Sequence, residues 1–125
     1  MPRPIHFEIP ADNPERAIKF YETAFGWTFQ KWAGPMDYWL IKTGDASEPG
    51  INGGMIRRIG ATPVDGQAVN AYVCTVSVSA IDETIAKVVP AGGVIAVPKM
   101  PIPGIGRGSF WGRAWRGSRR IAMGN

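Results

Sequence analysis

One order of events occurs twice in this 125-residue chain: an alternating stretch, a short helical stretch, a glycine stop and a second extended stretch. In the first copy, Ile5-His6-Phe7-Glu8-Ile9 alternates apolar and polar residues, the period-2 mark of a half-buried strand. Phe7 and Ile9 are expected to face a packed layer, His6 and Glu8 the opposite side. Asp12-Asn13-Pro14-Glu15 then reads as a helix start, with a capping side chain, proline in the first turn and an acid near the positive helix end. Ala17, Ile18, Phe20, Tyr21, Ala24 and Phe25 form its apolar face, and Gly26 ends it. Trp27-Thr28-Phe29 opens a second strand; Met36–Ile41 is a third, and Ile51–Ile56 a fourth after the Gly/Pro-rich turn at 44–50.

The second copy starts at Ala71–Val78, a β-branched strand. A short helix at Asp82–Val89 follows, then the stop Ala91-Gly92-Gly93 and a strand at Val94–Val97. A shift of 67 residues lays Ile18 on Ile85, Ala24 on Ala91, Gly26 on Gly93 and Trp27 on Val94. The expected fold is therefore α+β, with two tandem βαβββ modules at about 3–60 and 68–125 in one domain spanning 1–125, joined by a polar linker near 60–67.

Charge is distributed unevenly. Residues 1–106 carry nine Lys+Arg against ten Asp+Glu, while 107–125 carry five arginines and no acid. A near-neutral body argues against a domain-wide nucleic-acid surface, and nucleic acid is not an expected partner. No apolar run approaches the roughly 18 residues of a membrane span, and the first residues lack the apolar stretch of a secretory signal. Cys74 is the sole cysteine, which excludes an internal disulfide and a cysteine-based metal cluster. Its apolar neighbours favour a core role over a nucleophilic one. A cytoplasmic location is the natural expectation.

Three stretches, "HFEIPADNPERAIKFYETAFGW" at 6–27, "GINGGM" at 50–55 and "AGGVIAVPKMPIPGIG" at 91–106, together resemble the vicinal oxygen chelate superfamily. That group comprises glyoxalases, bleomycin-resistance proteins and extradiol dioxygenases, and the chain looks most like small bacterial glyoxalase-like proteins of unassigned substrate. The resemblance covers about residues 3–106. It implies two βαβββ modules whose sheets curl around a shared cavity, often within a dimer. It also implies, for metal-dependent members, a divalent ion (Zn, Fe, Mn or Ni) held on the cavity face, with His6 at the first-module ligand position. The counterpart of His6 under the 67-residue shift is Val73, and no Asp or Glu follows Glu83. Glu8 adds one oxygen on the face of His6, leaving the set short of the three protein ligands usual in catalytic sites. His6 therefore reads better as a polar residue of a cavity wall.

Trp32, Met36, Tyr38 and Trp39 form an aromatic group suited to a planar or apolar ligand, with Tyr38 or an indole N–H fixing its orientation. Alternation assigns Tyr38 and Leu40 to one face, and Trp39 and Ile41 to the other, so one face is ordinary core. The glycines at 50–54 lack the strand-to-helix context of a phosphate loop and read as a turn and bend, with Asn52 suited to a left-handed conformation. Trp32, Tyr38, Trp39 and Asn52 are the expected ligand-binding residues. No nucleophile triad can be assembled around one histidine. For acid–base work Glu8 is the candidate catalytic residue, since burial in an apolar cavity would raise its pKa.

After residue 106 the family pattern breaks into "RGSFWGRAWRGSRRIAMGN". Three readings remain: a diverged last hairpin with strands at Ser109–Trp111 and Arg120–Met123, a basic tail for RNA or an acidic partner, and a reading-frame change in the gene. The charge break coincides with the pattern break, which favours the first and third. A lost hairpin would leave a sheet edge open, and pairing in a homodimer would cover it. Two functions are carried forward. One is a small-molecule-binding protein that encloses its ligand in the cavity; the other is a divalent-metal-dependent lyase, isomerase or dioxygenase using His6.

Overall fold

The computed structural model describes residues 2–62, Val64 and 74–95, together with the backbone of strands at 100–101, 110–112, 114–116 and 120–123. The chain divides into two units, Met1–Thr62 and Pro63–Asn125. The architecture is α+β.

In the first unit the order is β1 (His6–Ala11), α1 (Pro14–Phe25), β2 (Thr28–Lys31), β3 (Tyr38–Lys42) and β4 (Asn52–Arg57). The strands form one open, mixed sheet in the order β1-β4-β3-β2. β1 and β4 are parallel, and β4, β3 and β2 run antiparallel in turn. Both ends of α1 follow from local chemistry. The Asn13 side chain accepts from the Arg16 N–H at 3.2 Å, and Pro14 occupies the first turn. At the far end Gly26 takes φ 70°, and its N–H donates to the Glu22 carbonyl at 3.0 Å.

The core lies between α1 and one face of this sheet. Trp27 stacks on Tyr21 with ring centroids 5.2 Å apart and touches Phe25 and Phe7. Tyr21 also meets Phe29 of β2. Ile41 and Met55, on the same face of the sheet as Phe7 and Phe29, are the most completely buried large side chains among the described residues. Trp27, expected to begin a strand, stands just before β2 and is core. Gly53 has no room for a side chain: a Cβ there would run into the Phe7 ring and carbonyl. The glycines expected to form a bend are thus divided. Gly53 and Gly54 lie inside β4, and among the described residues no non-glycine has positive φ, so Asn52 is extended rather than left-handed.

The second unit contains β5 (Cys74–Ser77), α2 (Ile81–Val88), β6 (Met100–Pro101), β7 (Phe110–Gly112), β8 (Ala114–Arg116) and β9 (Arg120–Met123). Its strand-then-helix order matches the expectation, but its described strands form a β5-β9 pair and a β6-β7-β8 sheet rather than one four-stranded sheet. Val94 and Ile95, expected to open a strand, have no regular structure, and Val94 is 82% exposed. The expected strand residues Ala71–Val73, Ala96–Val97 and Ser109, and linker residues 63 and 65–67, lie outside the described set. Strands do occur at Phe110–Gly112 and Arg120–Met123, where a diverged hairpin was expected. They do not pair with one another: β7 pairs with β6 and β8, and β9 with β5.

Candidate functional site

Strand register decides which side chains share the face of the first sheet that points away from α1. Phe7 and Phe29 mark the α1 face, so the alternate residues mark the other. His6 is in register with Asn52, Glu8 with Gly54, and Gly54 with Leu40; Tyr38 is in register with Ile56. His6, Glu8, Tyr38, Leu40 and Asn52 therefore lie on one open face. His6 and Glu8 are exposed, and Leu40 is 45% exposed.

Tyr38 crosses this face. Its ring lies over Gly54, where a Cβ would collide with it, and its hydroxyl reaches 2.7 Å from the His6 Nε2. Burial of the hydroxyl, with the neighbouring Glu8 charge as a second cause, holds the Tyr38 proton above the ordinary tyrosine range. Trp32 meets Tyr38 edge to face at 6.3 Å and is itself 43% exposed. The Trp32 backbone N–H donates to the Tyr38 carbonyl at 2.8 Å, which ties the two rings to one strand end. Asn52 is engaged locally: its side-chain oxygen accepts from the Thr43 N–H at 3.0 Å and lies 3.3 Å from the Thr43 hydroxyl, joining the end of β3 to the start of β4.

Of the residues singled out in the sequence, His6, Glu8, Trp32, Tyr38 and Asn52 meet around this face. Trp39 does not. It lies on the α1 face, in register with Met55, with the Lys31 ammonium 5.7 Å above its ring. Glu8 is exposed rather than enclosed in an apolar cavity of its own unit. Two contributors went unrecognised in the sequence: Leu40 as exposed apolar surface, and Gly54 as the floor beneath Tyr38. A glycine inside a strand is the available signal for such a close approach.

The donor set does not fit a divalent metal. On the open face it offers one imidazole, whose Nε2 already meets the Tyr38 hydroxyl, and one carboxylate two residues along the same strand. Among the described residues no three His, Cys, Asp or Glu side chains are grouped so as to hold an ion. Among them, too, no helix is long and apolar enough to cross a membrane.

No curated protein matches the chain. Residues 3–44, from just before β1 to just after β3, match the family described as bleomycin resistance protein-like N-terminal. Over this segment the chain is similar to that family, which belongs to the vicinal oxygen chelate superfamily.

Proposed function

We propose that this protein binds a small organic molecule without a metal ion, on the face of the first sheet that carries His6, Glu8, Tyr38 and Leu40. The observation that carries this reading is the Trp32–Tyr38 corner, two rings edge to face beside the exposed side chain of Leu40. Aromatic and aliphatic surface on an open sheet face gives a ligand apolar contact, and the Tyr38 hydroxyl and Glu8 carboxylate orient it. In this reading the second unit, from about residue 68, is a further βαβββ module, and the protein is a cytoplasmic homodimer. The bleomycin resistance-like match of residues 3–44 supports the binding class.

A screen of planar organic compounds by tryptophan fluorescence and thermal shift tests the proposal. A hit should lose most of its affinity with Trp32→Ala and keep it when the protein is stripped with a chelator. A hit that survives Trp32→Ala unchanged, or needs added metal, refutes the reading. Light scattering of the full chain tests the dimer.

A further inference from the structure

The superfamily's histidine position and the donor set of this chain disagree, and the disagreement has a structural cause. Gly54 has no side chain, so the Tyr38 ring can lie flat across β4 and deliver its hydroxyl to the His6 Nε2 at 2.7 Å. A residue with a Cβ at position 54 would occupy the volume of that ring. The Tyr38 hydroxyl thereby occupies the Nε2 of His6.

We infer that Tyr38 is the positioning residue of this site and Gly54 its permissive floor: together they cap His6 and turn a metal-ligand position into a hydrogen-bonding anchor for an organic ligand. This rests on the reading of the open face as a ligand surface. The Tyr38 hydroxyl and the His6 Nε2 share one hydrogen bond, in which the imidazole tautomer sets the donor, and the hydroxyl keeps further hydrogen-bonding capacity for a ligand. Glu8, in register with Gly54, has no ion-pair partner among the described residues. The exposed Glu8 carboxylate is an acceptor close enough for its charge to act on the Tyr38 hydroxyl. The complementary ligand carries N–H or O–H donors beside its apolar body.

His6 is the only histidine in the chain, so its chemistry can be read without ambiguity. The full-length protein is treated with diethyl pyrocarbonate and the N-carbethoxyimidazole absorbance is followed, while nitrogen NMR records the His6 Nε2 resonance. Tyr38→Phe should accelerate modification several-fold and move the Nε2 resonance, with the fold unchanged by circular dichroism. Unchanged rate and resonance would overturn the cap. Zinc ion added to the wild-type protein should leave the modification rate as it was; protection of His6 by zinc would overturn the inference as well.

Gly54→Ala should behave as Tyr38→Phe does, because the ring must leave. Should Gly54→Ala fail to fold, Gly54→Ala combined with Tyr38→Ala should fold again, since no ring then opposes the new methyl. A combined variant that still fails denies Gly54 its assigned role. These readouts concern the cap alone and need no ligand, so a failed compound screen counts against the binding reading and leaves the cap result standing.

Discussion

Tyr38 and His6 are 32 residues apart in sequence, yet a 2.7 Å hydrogen bond joins the hydroxyl of one to the Nε2 of the other. β3 and β1 are not neighbours: β4 lies between them, and the bond spans it because Gly54 leaves room for the ring. The contact therefore reports the register of three strands at once.

The Tyr38 environment predicts a pH dependence. Burial first, and the Glu8 charge second, raise its pKa above the ordinary 10.0. A folded state with the higher pKa binds the proton more tightly. The associated stability is complete below the ordinary value and is lost as pH rises through the raised one. Urea unfolding of the wild type should weaken across this alkaline range more than that of Tyr38→Phe. Parallel curves would show that Tyr38 is not held in this environment.

Gly53 supports the opposite face. A methyl at position 53 would enter the space of the Phe7 ring and carbonyl, and the carbonyl belongs to backbone that is held in the β1–β4 ladder. Gly53→Ala is expected to cost about 1–3 kcal/mol by overpacking, measured by denaturant unfolding with an unchanged slope.

Met55 and Leu40 provide a contrast within one sheet. Met55 is 0% exposed and Leu40 45% exposed, on opposite faces. Met55→Ala should destabilise by about 2–5 kcal/mol through lost burial and the cavity left behind. Leu40→Ala should stay within about 0.5 kcal/mol. If Leu40 contributes to binding, its replacement weakens a ligand found by the screen while leaving unfolding almost unmoved.

Both caps of α1 are open to test. Asn13→Ala removes the acceptor for the Arg16 N–H and should cost about 1 kcal/mol. Gly26→Ala puts a side chain at φ 70°, where no neighbour lies within 4 Å, so the cost, about 1–2 kcal/mol, is conformational alone. Thermal unfolding of the two variants and their combination should give nearly additive losses, because the sites are a full helix apart.

Asp37 tests the surface charges. The hydrogen bond from Arg57, followed by the Lys31 charge, holds its carboxyl below the ordinary aspartate range. A lowered folded pKa gives stability that is present above the ordinary value and lost as pH falls through the lowered one. The group is fully exposed, so the effect is small and screened by salt. Carboxyl NMR titration should show Asp37 moving up toward the ordinary value in Arg57→Gln, and upward in the wild type as salt is added.

What was legible in the sequence was local. Asn13-Pro14 and Gly26 specify where a helix begins and ends, because capping groups and a left-handed glycine act within one turn. Alternation in β1 assigned Phe7 and Ile9 to one side and His6 and Glu8 to the other, because successive strand residues point to opposite faces. The same rule separated Tyr38 from Trp39, although it could not say that Trp39 belongs to the α1 face. In the second unit, where the strand expected at Val94 is not formed at Val94 or Ile95, a repeat of element order did not carry over into one sheet among the described strands: pairing is a property of partners, not of order.

The tertiary structure alone decided the rest. The parallel β1–β4 register brings His6 beside Asn52 and Glu8 beside Gly54. The antiparallel β3–β4 register brings Leu40 to Gly54 and lets Tyr38 lean over it toward His6. Periodicity along one segment carries no information about which distant residue stands opposite, since a slip of one position would exchange the two faces of a strand. So the amino-acid order determined that His6 faces away from Phe7, and only the alignment of three strands determined that it faces Tyr38.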